Sequence, residues 1–355
     1  PANRFPWTFH SWAASARKNR GQLIGVSLLS VTYDEQIFTF QRQGGISRYF
    51  GALINEFACQ PEMGVQPELS FLVTQNENAP PSIQLPHFLP KRFGTMASYL
   101  ANTPRRLKRS EVVHNTFYHP RFLHRPPGTV KVSTLHDMIP EQFPHLFGHR
   151  NPHLSKKDFF NQSDLIICVS ETSRDAMREI WPEMETPTSV IPLGVDDRWF
   201  LGKPAPMSDL SPRLVEQLDG LPAPFVVFVG SRDFHKDFNT ALEAINQLRP
   251  FDVQLIAVGG GNWTAAEQET IRRLGLTQVV KQLDMSDDGL MTLLPGAVCL
   301  LMTSRAEGFG LPLLEAFARG TPVVAADIAT QREFGAGLPL LFEPGDLSAA
   351  SEQVL

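Results

Sequence analysis

Glu307 and Glu315 stand eight positions apart in the stretch SRAEGFGLPLLEAFARGTPVVAAD (304–327), with two glycines and a proline between them. An ionised glutamate only accepts hydrogen bonds, so a hydroxyl-rich partner such as a sugar suits it. Gly308 and Gly310 let the backbone come close to a ligand. A helix starting just after them offers free N–H groups and the positive end of its dipole, which suit a diphosphate. A carboxylate beside a phosphate is repulsive unless it has such a second task. The ligand indicated is a sugar joined to a nucleoside diphosphate. The plain alternative is an ordinary helix start with Glu315 solvated on its surface.

Three other stretches have the same character. In VGSRDFHKDF (229–238), Arg232 and Lys236 lie four positions apart. They are a fork and a point charge that can reach one diphosphate. The alternative is an exposed basic turn balanced by Asp233 and Asp237. In LHDMIPEQFP (135–144), His136 ends a strand and Asp137 is placed to orient it. A histidine there is otherwise structural. In GGISRYF (44–50), Gly44 and Gly45 admit another group against bare backbone, and Ser47 or the free amides can face a phosphate.

These residues need elements to hold them. Pro312 suits a first helical turn, Gly320 suits the residue past the end, and Thr321-Pro322 cannot continue, so a helix over 312–319 is expected. The apolar runs GAVCLLMTS before it and PVVAAD after it read as buried strands. The unit is strand, loop, helix, strand, and in open α/β sheets that loop lies where ligands bind. Further strands are expected at SLLSVTY, ELSFLVT, EVVHNTFY, VKVSTLHD and LIICVS in the first half, and at PFVVFVGS and VQLIAVGG in the second. Alternation with helices predicts an α/β chain of parallel sheets covered on both faces. The stretch FLGKPAPMSDLSPRLVEQLDGLPAP (200–224) is rich in proline and polar residues and reads as a connector. The expected division is a leader over 1–20, one domain over 21–200, a linker over 201–222 and a second domain over 223–355.

With 355 residues, 42% hydrophobic and 19% charged, the chain can bury two cores of ordinary globular composition. A net charge of −5 argues against a general nucleic-acid surface. No apolar run reaches membrane-span length. Residues 1–20 read as a disordered leader or as an aromatic and basic surface anchor. The basic residues near 91–109 read either as a contact for an anionic acceptor or membrane face, or as a solvated loop and helix. Cys59, Cys168 and Cys299 are scattered, without zinc spacing, which points to the cytoplasm.

Taken together, GSRDFHK, SRAEGFGLPLLEAFARGTPVVAAD, HDMIPEQFP, QRQGGISRYF and VSETSRDAM…VIPLGVD resemble the motifs of retaining glycosyltransferases of family 4. The likeness runs from about Tyr33 to the C-terminus. It implies the GT-B fold, two Rossmann-like domains with parallel sheets facing a central cleft, the first for the acceptor and the second for the nucleotide-sugar. By the resemblance, Arg232 and Lys236 neutralise the diphosphate and Glu307 takes sugar hydroxyls. The amides of Gly308, Phe309, Gly310 and Leu311 hold sugar and phosphate, and Glu315 binds the ribose. His136 meets the transferred sugar, Gly44-Gly45 admits the diphosphate, and backbone near Val258–Gly261 and Leu283–Met285 holds the base.

No metal and no cofactor are expected, since D-x-D does not occur in the sequence and the two cations take its place. The donor leans to GDP-mannose, and the acceptor is a saccharide or a lipid-linked one. Family members usually end in a helix crossing back to the first domain, and none is found before SEQVL, so a fragment or an unusual closure is expected. Two rivals remain. A nucleotide-sugar epimerase or dehydrogenase would need G-x-G-x-x-G, which GFGLPL and GAGLPL lack. A non-catalytic nucleotide-sugar-binding or partner-binding protein of the same fold would keep nucleotide binding and lose a reacting group.

Overall fold

The computed structural model describes residues 28–70, 73–80, 93, 96–97, 110–123, 127–147, 153–201, 212–221 and 224–355. The leader over 1–20, the basic residues at 91–92 and 105–109, and most of the connector lie outside the described residues. Within the connector, Pro212–Asp219 is helical.

Val-, Ile- and Leu-rich runs become strands buried on both faces, the pattern of parallel sheets between helices. The first sheet contains β1 (Leu29–Tyr33), β2 (Val65–Leu69), β3 (Val112–Asn115), β4 (Val130–Leu135), β5 (Leu165–Cys168) and β6 (Thr188–Val190), in the order β2-β1-β3-β4-β5-β6. The second contains β7 (Phe225–Val229), β8 (Gln254–Val258), β9 (Val280–Leu283), β10 (Leu300–Met302), β11 (Val323–Ala326) and β12 (Leu340–Phe342), in the order β12-β11-β10-β7-β8-β9. Pairings such as β1 with β3, β4 with β5, and β7 with both β8 and β10 are all parallel. The helices used below are α1 (Gly45–Cys59), α2 (Lys156–Asn161), α3 (Glu171–Ile180), α4 (Phe238–Gln247), α5 (Ala265–Arg273), α6 (Leu311–Ala318), α7 (Ala329–Gly335) and α8 (Leu347–Val354).

Two compact units divide the described residues. One holds everything through Thr116 together with residues 127–131, and the other holds Phe117–Leu123 and Val132–Leu355. In the first, Asp34 at the end of β1 is buried and accepts hydrogen bonds from the Asn115 amide, the Thr116 N–H and hydroxyl, and Gln36. That network fixes the carboxyl ends of β1 and β3. In the second unit, successive residues of β7 point to opposite faces, as a strand requires. Val226 and Phe228 join a cluster with Phe238, Ala241 and Leu255, whereas Phe225 and Val227 join Ile256, Leu300 and Leu313. Trp199 packs into that second cluster. The C-terminal helix α8 adds Ala350 and Val354 to the first cluster, and the Ser351 hydroxyl reaches Gln247 Oε1 at 2.8 Å. Cys168 and Cys299 are core residues whose thiols burial pushes up to about 12.

Two expectations about strands need correction. The second strand lies at Val65–Leu69 rather than over ELSFLVT, because its register pairs Val65 with Leu29 and Leu69 with Tyr33. Three strands absent from the sequence reading, β6, β9 and β12, are three or four residues long and only partly buried at most positions.

Candidate active site

The order of the second sheet reverses between β7 and β10: from β7 the chain proceeds outward to β8 and β9, and from β10 to β11 and β12. Ligands in open α/β sheets bind beyond the carboxyl ends of the strands at such a switch point. The loops leaving those two strands carry Lys236 and Glu307, and the structure joins them: Lys236 Nζ donates to Glu307 Oε1 at 2.5 Å, with both side chains largely buried. The Ser304 hydroxyl donates to the same oxygen at 2.7 Å. The Thr303 hydroxyl, at 2.9 Å from the carbonyls of Lys236 and Asp237, fixes the turn that presents the lysine. Asp237 there adopts the left-handed region at φ 47° and pairs with Arg305 at 2.8 Å.

Helix α6 begins right after the EGFG loop, one residue before the expected start, and Pro312 occupies its first turn. It ends as the sequence requires: Gly320 N–H bonds to Phe317 O and Thr321 N–H to Ala316 O, the paired closure of a glycine-terminated helix. Among the described residues, no hydrogen bond is recorded from the amides of Phe309, Gly310 or Leu311, so they remain available to an anion. Glu315 is buried on this helix rather than solvated. Phe309 turns inward against Phe334, ring centroids 4.1 Å apart.

Gly308 has a use the sequence does not reveal. A Cβ there would collide with the carbonyl oxygen of His136 and come within 2.9 Å of Asp137 Cβ. Its own carbonyl accepts from the hydroxyls of Ser170 at 2.7 Å and Ser173 at 3.0 Å, at the start of α3. The next turn of the contact is Glu333 of α7, whose carboxylate accepts from the N–H groups of Glu171 and Thr172 at 2.7 and 2.9 Å. A carboxylate on the first amides of a helix is a stabilising cap. Sequence reasoning missed Ser170, Ser173 and Glu333. The S-x-x-S spacing just before α3 was the available signal.

His136 follows β4, and around it lies a charged cluster. Lys156, fully buried on α2, donates to Glu141 Oε2 at 2.7 Å and to the Asp137 carbonyl at 2.9 Å. Asp137 Oδ1 accepts from Ile139 N–H at 3.0 Å, so this carboxylate orders its own loop. Burial lowers the His136 imidazole to about 4, with Lys156 and His153 adding to the effect. Burial and Lys156 lower His153 to about 4 as well. Both rings are therefore neutral at pH 7. As pH falls below about 6.5, the unfolded chain takes up protons that the folded rings accept only near 4. Their stability contribution is thus complete above about 6.5 and is lost toward 4. Thermal melts from pH 7 to 4.5 should show this fall, with a smaller slope in His153→Gln. An unchanged slope in that variant would count against buried neutral histidine.

Arg232 is engaged by protein groups. Its Nε donates to Glu267 at 2.6 Å and its terminal nitrogens to the carbonyls of Gly259 at 2.6 Å, Gly261 at 2.9 Å and Asn262 at 3.1 Å. In the other unit, Gly44 caps α1 with extended backbone, and a Cβ on Gly45 would meet nothing within 4 Å. Ser47 is buried, bonded to the Gly44 carbonyl at 3.0 Å and to Asn78 at 2.9 Å, so its hydroxyl does not face outward.

Two family models match the chain in tandem. One, described as Glycosyltransferase Family 4, covers residues 43–199, and the other, Glycosyl transferases group 1, covers residues 217–354. Together the two matches cover most of the chain, which is a glycosyltransferase with a family 4 domain followed by a group 1 domain. Mannosylfructose-phosphate synthase of Agrobacterium fabrum is 28% identical to this glycosyltransferase over 178 residues, 46% of this chain and 38% of that protein. The match therefore spans well under half of that relative's length. Sucrose-phosphate synthase of Thermosynechococcus elongatus shares its fold with a TM-score of 0.65 at 19% identity, over 92% of this chain and 88% of the other. An Anabaena protein, HepE, in complex with UDP and glucose, gives 0.61 at 20% identity, over 92% and 89%. The fold is GT-B, two Rossmann-like parallel sheets with helices. No helix among the described residues is long and apolar enough to cross a membrane.

Proposed function

We propose that the chain moves a hexose from a nucleoside-diphosphate sugar to a saccharide or lipid-linked acceptor, with retention and without a metal. The observation that carries this reading is the Lys236–Glu307 pair at 2.5 Å, at the switch point and beside the open amides of α6. An ammonium has three donors, so Lys236 can keep Glu307 and still reach a phosphate oxygen. Glu307 then has a second carboxylate oxygen for sugar hydroxyls.

The difficult event is departure of the nucleoside diphosphate from the anomeric carbon. Charge grows on the leaving oxygen, and a fixed cation with helix-start amides aimed there lowers the barrier. Glu315 is assigned to the ribose, His136 to the transferred sugar, and Gly44-Gly45 to the approach of the diphosphate. Neutral His136 can donate or accept one hydrogen bond without adding charge beside the sugar. GDP-mannose is the favoured donor, supported by the mannosyl product in the name of the Agrobacterium relative.

The test is a panel of nucleotide-sugars, each assayed for thermal stabilisation and for release of nucleoside diphosphate, with and without EDTA. GDP-mannose should stabilise the protein and turn over, and EDTA should leave the rate unchanged. Stabilisation without any turnover, across donors and saccharide acceptors, would favour the non-catalytic binding protein. Loss in EDTA with rescue by Mg²⁺ or Mn²⁺ would remove the metal-free mechanism.

A further inference from the structure

The loop after β8 contains three consecutive glycines, Gly259, Gly260 and Gly261, all left-handed at φ 85°, 72° and 70°. Glycine adopts that conformation freely and loses the most entropy when held in it. Nothing in the loop's own sequence would hold it, and the holding group comes from the loop after the neighbouring strand β7. The Arg232 guanidinium donates to carbonyls on four successive residues, Gly259 to Asn262, at 2.6 to 3.3 Å. A Cβ on Gly260 would collide with Arg232 Nη1, so the cation lies directly against bare backbone.

The cage around that cation is complete on its other sides. Glu267 takes Nε at 2.6 Å, and its second oxygen accepts from Thr264 N–H at 2.6 Å in the capping box that starts α5. Trp263 lies under the guanidinium at 4.5 Å from Cζ to ring centroid, and Phe238 stacks on Trp263 at 5.7 Å. The Arg232 side chain is 3% exposed. A guanidinium bound to a carboxylate and four carbonyls is a poor candidate for releasing to a phosphate. With its carbonyls directed to Arg232, the loop keeps its amides: among the described residues, no hydrogen bond is recorded from Gly260 or Gly261 N–H.

We propose that Arg232 is a positioning residue that clamps the 259–262 loop, the stretch where the family resemblance puts the base of the donor, leaving Lys236 as the side-chain cation of the diphosphate. The clamp stands on the geometry alone. What the loop receives rests on the function proposed above.

The experiment compares the native chain with Arg232→Gln, Arg232→Lys and Glu267→Gln. Glu267→Gln keeps the arginine and one capping oxygen, so it remains informative if Arg232→Gln folds poorly. Amide hydrogen exchange is measured in the free protein at the Gly259 N–H, the loop amide that bonds to the Leu283 carbonyl at 3.1 Å. Ligand-observed NMR titrations use guanosine, uridine and inorganic pyrophosphate. Loop exchange at Gly259 should rise at least tenfold in Arg232→Gln and severalfold in Glu267→Gln, with little rescue by lysine. Nucleoside affinity should fall about tenfold while pyrophosphate affinity stays within twofold. In turnover, donor KM should rise with kcat within about threefold. Unchanged loop exchange in Arg232→Gln overturns the clamp. A more than threefold loss of pyrophosphate affinity in that variant overturns the division of labour with Lys236. If native protein binds neither nucleoside nor pyrophosphate, the donor reading fails, and loop exchange still decides the clamp.

Discussion

Replacing Lys236 with alanine is expected to lower kcat by about 10²-fold or more, the usual cost of losing one preorganised electrostatic group at a developing charge. The leaving diphosphate gains negative charge as the bond breaks, so the ammonium should matter more in the transition state than for the bound donor. The substitution has a second consequence. Glu307, with its side chain 8% exposed, loses its ion-pair partner, and stranding a buried charge commonly costs about 3–5 kcal/mol. The Ser304 hydroxyl still donates to the same carboxylate oxygen, which tempers that loss. Charge and stability can be separated with a second change. Lys236→Ala combined with Glu307→Gln removes the stranded charge, so melting temperature should recover while kcat stays low. Steady-state kinetics and melts of both single variants and the double variant would settle the matter. A folded Lys236→Ala with normal kcat would take this lysine out of the mechanism.

What the sequence made legible follows from how local each signal is. Helix α6 is written in neighbouring residues, Pro312 and Gly320, and its bounds were read to within one residue. Long apolar strands such as FVVFV and QLIAV carry their burial in composition. β12 and β9 do not: only three or four residues long, with a single buried residue in β12 and two in β9, they are strands because a neighbouring strand offers a ladder. The pairing of Lys236 with Glu307 across 71 positions was readable as a shared chemical task, though not as a contact. Arg232 has the same residue type and spacing that a phosphate ligand would have. Only the fold shows that Glu267 and a glycine loop surround it. Gly308 is the sharpest case, since a glycine beside a ligand and a glycine beside a carbonyl look alike in sequence.

Gly308→Ala should be among the most damaging single substitutions in the chain. The added methyl would lie well inside the 3.0 Å that real Cβ atoms keep, and the atom it meets is backbone, the His136 carbonyl, which has no rotamer to change. Relief requires moving the EGFG loop or the end of β4. Moving the loop draws the Gly308 carbonyl away from Ser170 and Ser173, two bonds of 2.7 and 3.0 Å that tie it to the start of α3. Overpacking of this kind usually costs about 1–3 kcal/mol, and the strained bonds add to it. The rate should suffer more than the stability. Glu307 and the α6 amides flank residue 308, and a displacement of about 1 Å in a positioned group can cost about 10²-fold. Gly310→Ala is the natural comparison, because its Cβ would have 3.7 Å to Gln331 and only the left-handed φ of 89° to contend with. Melting temperature and kcat of the two variants should therefore fall in different proportion: a moderate, matched loss at 310, and a rate loss beyond the stability loss at 308. Native stability together with native turnover in Gly308→Ala would mean that the His136 carbonyl does not sit against residue 308 in solution.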